Sequence, residues 1–392
     1  MPTDFHAHFE QELAAGLRHL AGRDQLRSLA EISGVNLCSN DYLGLSERPA
    51  LKSAVLRAVS EAPGVGGTGS RLLSGHSAVW DEVESEFARF AGTEGALYFG
   101  SGYAANLGLL TSLLGKSDVA FSDALNHASL IDGVRLSGAR REVYPHCDLN
   151  ALEEALRRHA GTTSRKLIVT ETVFSMDGDV APLEDVVALA DRYGAGVILD
   201  EAHATGVHGP CGRGIAAQLG LADRAAAIVH TCSKALASAG AFICGSSLLK
   251  QHLVNHARTL LFSTAMPGYM ARQIQAALRL AKGMESERAE LIGRARRFAT
   301  ALSQEGWDTA GSLSQIVPLI VGENDDALAA AEFAQREGFA VRAIRPPTVP
   351  AGRARLRVSL TVRTLDVELN RLRESLDAWR AGEWRAATAG CA

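Results

Sequence analysis

The chain has 392 residues, 47% of them hydrophobic and 21% charged, with a formal net charge of −4. That length can bury a large core and suits two or three domains, while the modest acidic balance offers no basic footprint for nucleic acid or an anionic membrane. Six scattered cysteines (Cys38, Cys147, Cys211, Cys232, Cys244 and Cys391) form no C-x-x-C pair, which speaks against a disulfide framework or zinc cage and for free thiols in a reducing compartment.

From the N-terminus, Leu13, Leu17, Leu20 and Leu26 recur at near-helical spacing and predict one or two amphipathic helices over 9–32. The turn-rich Cys38-Ser39-Asn40-Asp41-Tyr42-Leu43-Gly44 follows. A helix is predicted over 49–60, stopped by Pro63-Gly64, then a glycine-rich stretch over 64–70 and a helix over 78–90. From there the pattern alternates. Short apolar runs at 96–99, 119–121, 167–170, 197–199, 227–230 and 241–244 read as buried strands, with helical patterns at 104–114, 149–159 and 183–193 between most of them. Such alternation predicts an α/β domain with a mainly parallel sheet, whose ligands sit beyond the carboxyl ends of strands. A long helical stretch over 268–305, strands near 316–321 and 356–360, and a final helix near 365–380 predict a smaller α+β domain. The expected division is an N-terminal helical segment (1–45), a large domain (46–280) and a small C-terminal domain (281–392). The first ten residues lack the basic stretch and apolar run of a secretory signal, and no apolar run nears the roughly 18–20 residues that cross a bilayer, so a cytoplasmic protein is expected.

Three motifs mislead when read alone. Gly64-Val65-Gly66-Gly67-Thr68-Gly69 fits G-x-G-x-x-G literally, but a dinucleotide fingerprint follows a strand and opens a helix, and here a helix precedes it. A tight backbone loop near a ligand, with glycines permitting close approach, is the better reading. Asp200-Glu201-Ala202-His203 spells a helicase box, yet the required upstream phosphate loop fails because residue 110 is leucine rather than glycine. His203 and His208 with Asp200 suggest a metal, but their spacing puts no histidine pair on one helical face.

Asp200, His203 and Lys234 make better sense together. Asp200 ends the apolar run Val197-Ile198-Leu199, where a carboxylate is costly unless paired. Alone it reads equally well as a helix cap or an ion-paired residue. Lys234 ends another strand-like run, Ile228 to Ser233, amid small residues. Alone it reads as a surface lysine with a packed stem. Pyridoxal phosphate (PLP) chemistry explains both positions. The cofactor needs a lysine amine, a carboxylate beside its pyridine nitrogen and a phosphate cradle. Phe99-Gly100-Ser101-Gly102-Tyr103-Ala104 supplies a strand, a turn and a helix N-terminus suited to an anion. His127 reads as an ordinary loop histidine or as a ring that stacks on the cofactor.

On these residues the chain resembles the α-oxoamine synthases, within the aspartate-aminotransferase-like fold type I of PLP enzymes. The likeness runs over about residues 36 to 380. It is carried by Ser39-Asn40-Asp41-Tyr42-Leu43-Gly44-Leu45, Gly69-Ser70-Arg71-Leu72-Leu73-Ser74-Gly75, Phe174-Ser175-Met176-Asp177-Gly178-Asp179, Asp200-Glu201-Ala202-His203-Ala204-Thr205-Gly206 and Arg345-Pro346-Pro347-Thr348-Val349-Pro350. The resemblance implies that Lys234 holds the cofactor covalently, that Asp200 partners the pyridine nitrogen, and that His203 meets the phenolic oxygen. It implies that His127 stacks on the ring, that Ser175 and Thr231 make further contacts, and that Gly102 and Tyr103 meet the phosphate end. Asn40 and Arg345 resemble the groups that hold the amino-acid carboxylate, and Thr348 a position near the acyl chain. Ser263 and Thr264 resemble a segment that reaches the phosphate of a second subunit, which implies a homodimer with shared active sites.

The sequence also departs from the family pattern. Ser233 and Ala237 stand near the lysine where glycines are usual. An N-terminal arginine that meets the substrate is expected in the family; Arg18 is the first candidate, with Arg23 and Arg27 as others. The Arg-Pro-Pro-Thr-Val-Pro and Ser-Asn-Asp-Tyr-Leu-Gly runs favour the branch that joins L-alanine to a pimeloyl thioester, carried by coenzyme A or a carrier protein, in biotin biosynthesis. The alternatives are a sibling synthase using glycine or serine, a PLP aminotransferase, and a non-catalytic protein that keeps the fold.

Overall fold

The computed structural model describes residues 5–382, and its contacts divide the chain into two units. The larger comprises residues 40–293 with 361–363; the smaller comprises residues 5–39, 294–360 and 364–382.

The smaller unit opens with helix α1 (Phe5–Ala21) and the short strand β1 (Val35–Asn36). The predicted helix over 9–32 therefore ends early. Gly22 closes onto the Arg18 carbonyl at 2.9 Å, and Asp24 turns the chain at φ 52°, a left-handed conformation that aspartate tolerates better than most residues.

In the larger unit, α2 (Pro49–Glu61) starts with proline, whose missing N–H costs nothing at a helix start. α3 (Ala78–Ala91) stops at Gly92, φ 76°. Strands and helices then alternate: β2 (Gly95–Phe99), α4 (Gly102–Leu113), β3 (Val119–Asp123), α5 (Ala128–Ser137), β4 (Arg140–Tyr144), α6 (Leu149–Arg158), β5 (Lys166–Glu171), α7 (Leu183–Tyr193), β6 (Gly196–Asp200), α8 (Ile215–Gln218), β7 (Ala227–Thr231) and β8 (Ala241–Gly245). The seven strands make one sheet in the order β2-β8-β7-β6-β5-β3-β4. Pairing is parallel except around β8, which runs antiparallel to both neighbours. Because β8 reverses twice, β2 points the same way as β7.

Both faces of the sheet are covered, as a mainly parallel sheet requires. Ile168, Val197, Leu199 and Ile228 pack into one buried cluster, while Leu167, Val169, Ile198 and Val229 pack into another. That period-two alternation sends neighbouring side chains to opposite faces. Each fully buried residue of this size contributes roughly 1.5–3 kcal/mol. Sequence patterning missed α5 and β4. β4 is the sheet's edge strand, with its arginines exposed, so no apolar run marks it. Following α9 (Ser247–His256) and α10 (Arg258–Leu261), the single helix predicted over 268–305 is two, α11 (Gly268–Lys282) and α12 (Glu285–Gln304), broken at Gly283-Met284.

The division between units falls inside α12. The rest of the smaller unit comprises β9 (Ile316–Gly322), α13 (Asn324–Arg336), β10 (Phe339–Ala340), β11 (Arg342–Ile344), β12 (Ala354–Ser359) and α14 (Asp366–Arg380). β11, β12 and β9 form an antiparallel sheet, and β1 pairs in parallel with β10. Among the described residues the five cysteines are free, and no helix is long and apolar enough to cross a membrane; Cys391 lies outside them.

Candidate active site

The carboxyl ends of β2, β3, β5, β6 and β7 share one edge of the large sheet, and the segments leaving them enclose a cavity of about 180 Å³. Gly102, Tyr103, His127, Asp200, His203, Thr231 and Lys234, seven of the expected residues, line it. The fold explains why distant positions meet: ligands in open α/β sheets gather beyond strand carboxyl ends.

Asp200 is the last residue of β6 and is 5% exposed. Its Oδ1 accepts the Ala202 N–H at 2.8 Å, and its Oδ2 accepts from Asn106 Nδ2 at 2.7 Å. The same amide donates to Ser129 Oγ at 2.9 Å. Asn106, itself buried on α4, thus aims the carboxylate. Sequence reading missed that role, since a polar residue in a helix carries no sign of its partner. His203 follows in a turn, its Nδ1 2.6 Å from the Tyr42 hydroxyl, which donates to Asn40 Oδ1 at 3.0 Å. The expected substrate-side Asn40 is therefore joined to the His203 side of the cavity.

His127 caps α5. Its Nδ1 accepts the Ser129 N–H at 3.2 Å and lies 2.8 Å from Ser129 Oγ. Burial above all lowers its pKa, against the Asp200 charge and with the Lys234 charge, so the ring is neutral near pH 7. A neutral ring suits stacking. The strand before Lys234 ends at Thr231, so the lysine stands in the following turn, not on the strand as expected. Ser233 beside it is exposed, whereas Ala237 sits at φ 42°, a left-handed backbone where glycine would be relaxed. Tyr103 lines the cavity and donates its hydroxyl to Asp132.

These residues fit PLP. Thr231 Oγ1 is buried without a partner, and the Thr231 side chain lies against the N-terminus of α4, where a Cβ on Gly102 would come within 2.7 Å of Thr231 Cγ2. An unpaired hydroxyl beside a helix N-terminus is what a phosphate would satisfy. Asp200, held from two sides, suits a protonated ring nitrogen.

Other expected residues lie elsewhere. Ser175 is buried and does not line the cavity; its N–H donates to Glu171 Oε2 at 3.2 Å. Ser263 and Thr264 are exposed and line a separate cavity of about 150 Å³ with Ser101 and Ala104. Arg345, Thr348 and the N-terminal arginines belong to the smaller unit. Arg345 is buried and donates to the Asp24 and Leu26 carbonyls, the latter at 3.2 Å. Burial chiefly, with Arg27 nearby, lowers its pKa. Arg18 is exposed on α1, while Arg27 donates to Thr348 Oγ1 and the Pro346 carbonyl, both at 3.4 Å. The arginine at the Thr348 segment is Arg27 rather than Arg18. Glu171, at the end of β5, also lines the main cavity and was not anticipated. The glycine-rich loop over 64–70 makes a close approach to backbone rather than to the Lys234 cavity: a Cβ on Gly67 would lie 2.0 Å from the Ala265 oxygen.

Residues 32–376 match the family model for class I and II aminotransferases. The chain is 47% identical over 365 residues to the 8-amino-7-oxononanoate synthase of Geobacter sulfurreducens, covering 92% of this chain and 93% of that one. It is 46% identical to the enzyme of that name from an Azoarcus species, covering 87% and 86%. The chain belongs to the 8-amino-7-oxononanoate synthase family. Members of this PLP-dependent transferase family share the fold with other enzymes. The serine palmitoyltransferase of Sphingomonas wittichii superposes with a TM-score of 0.87 at 29% identity, covering 97% of this chain and 99% of that one. The 8-amino-7-oxononanoate synthase of Francisella tularensis does so with 0.78 at 26%, covering 90% and 99%. Backbone likeness thus does not separate the two activities, and the identities of 46–47% to the oxononanoate synthases decide the family.

Proposed function

We propose that the chain condenses L-alanine with a pimeloyl thioester, carried by coenzyme A or a carrier protein. The products are 8-amino-7-oxononanoate, carbon dioxide and the free thiol. The meeting of Lys234, Asp200, His127 and His203 around one cavity carries this reading. Bound PLP supplies an electron sink for negative charge at the amino acid's α-carbon. The chain's residues do the rest. The Lys234 amine holds the cofactor and then moves the α-proton. Asp200, fixed by Asn106 and Ala202, keeps a proton on the ring nitrogen. His203 meets the phenolic oxygen, neutral His127 covers one face, and Thr231 with the α4 N-terminus holds the phosphate. Ser175 supports the ring through its loop. Asn40 and Arg345 hold the substrate carboxylate, with Arg27 and Thr348 on the acyl side. Ser263 and Thr264, which do not line the Lys234 cavity of their own chain, serve the phosphate of a partner in a homodimer. A cytoplasmic location accords with the reducing conditions that free thiols prefer.

Mass analysis of the product from alanine and pimeloyl-CoA tests the reading. The expected result is 8-amino-7-oxononanoate with stoichiometric carbon dioxide, and a loss of about 10²–10⁴-fold in Lys234→Ala. The high structural likeness to serine palmitoyltransferase makes serine the informative competitor. Turnover with serine or glycine but not alanine would move the chain to a sibling activity.

A further inference from the structure

Glu171 and Asp200 are paired residues on the adjacent parallel strands β5 and β6, both at the carboxyl end. Their side chains therefore leave the same face of the sheet, and both line the Lys234 cavity. Asp200 has its ring-nitrogen role; Glu171 has none. Yet Glu171 is only 2% exposed, and burying a carboxyl group there is costly without a return. Its Oε2 accepts the Ser175 N–H at 3.2 Å, and the His127 backbone N–H also faces the carboxyl group. Its Oε1 is buried with no partner. One side chain thus addresses two separate segments, each bearing a residue already assigned to the cofactor.

We propose that Glu171 is a positioning residue of the cofactor site, tying the segments that carry His127 and Ser175 to the sheet edge and so fixing the walls between which the cofactor ring lies. The inference rests on the PLP reading above. Burial first, and then the neighbouring Asp200 charge, push the carboxyl up to about 8, with Lys234 and the two backbone N–H groups opposing. At neutral pH it is held mainly as the neutral acid. That form keeps a carbonyl oxygen for the Ser175 N–H while adding no second negative charge beside Asp200, whose charge is left to the ring nitrogen.

The test is PLP affinity of the apoenzyme, read by cofactor absorbance, with the thermal midpoint of each apoprotein as a fold control. Glu171→Gln keeps a neutral acceptor of the same length and should bind PLP within about threefold of the wild type. Glu171→Leu fills the space without an acceptor and should weaken PLP binding at least tenfold. Glu171→Asp, shorter by one methylene, should fall between and serves if the leucine variant does not fold. Wild-type affinity in both the Leu and Asp variants would overturn the inference. So would a Gln variant as weak as the Leu variant, which would mean that the ionisable proton matters and not the anchoring oxygen. A wild-type protein that fails to take up PLP would instead sink the cofactor reading itself.

Discussion

Lys234 sits in a turn whose backbone is not fully at ease. Ala237 lies at φ 42°, its N–H bonded to the Lys234 carbonyl at 2.9 Å and its carbonyl accepting from Gln273 Nε2 at 2.9 Å. The turn is thus pinned from both sides around a residue whose Cβ disfavours that conformation by roughly 1–2 kcal/mol. Glycine removes the clash but adds unfolded-state freedom worth about 0.4–1 kcal/mol. Ala237→Gly should therefore stabilise the protein by about 0.5–1 kcal/mol, raising the urea midpoint at unchanged slope. A drop in the midpoint would show that the turn is relaxed as it stands. At this scale the sequence was informative where residues announce themselves. Asp200 and His203 stand in one long motif, Lys234 closes a strand-like run, and Ala237 was visible as a departure from glycine. Glu171 and Asn106 were not. Glu171 acquires meaning only from pairing with Asp200 across two strands, and Asn106 only from a 2.7 Å contact 94 positions away.

Among the elements, the end of β3 and the turn after β5 are coupled by one imidazole. His146 lies between Asp123 Oδ1 at 2.9 Å and Asp179 Oδ2 at 2.8 Å. Asp123 ends the strand that leads to His127, and Asp179 closes the turn that holds Ser175. Burial opposes the charge, but the hydrogen bonds to Asp123 and Asp179 outweigh it and push His146 up to about 12. The folded pKa thus exceeds the ordinary 6.5. Its stabilisation is full below that ordinary value and is lost progressively as pH rises toward 12. His146→Gln should lower the thermal midpoint most at pH 6 and progressively less toward pH 9. A midpoint difference that is constant across that range would mean that His146 is neutral and acts by packing alone. The alternating strands that build this edge were legible because both faces of the sheet are buried. β4 was hidden because an edge strand tolerates Arg140, Arg141 and Glu142. The N-terminal grouping of β1 with β10 was also hidden, as a two-residue strand carries no pattern.

At the level of the whole molecule, two surfaces of the chain look unfinished. α1 has no buried residue, and Phe5, Phe9, Leu13 and Leu17 recur every fourth position with exposures of 70, 45, 48 and 55%. Residues so spaced form one continuous stripe on a helix, and contiguous exposed apolar stripes mark protein interaction sites. Ser263 and Thr264 are exposed beside Phe262, itself 72% exposed, and do not line the cavity of their own Lys234. A second copy of the chain would cover apolar surface and bring a hydroxyl pair to a phosphate that its own fold leaves to Thr231. The wild-type protein should then sediment at twice the chain mass at micromolar concentration. Leu13→Glu/Leu17→Glu, which puts charge into the α1 stripe, should shift it toward the monomer. If Ser263 and Thr264 act across such an interface, as proposed above, Thr264→Ala should weaken PLP binding severalfold in the dimer yet leave the monomerised variant unchanged. Equal PLP affinity in monomer and dimer would show that each chain completes its own phosphate site, and the shared-site arrangement would have to be abandoned.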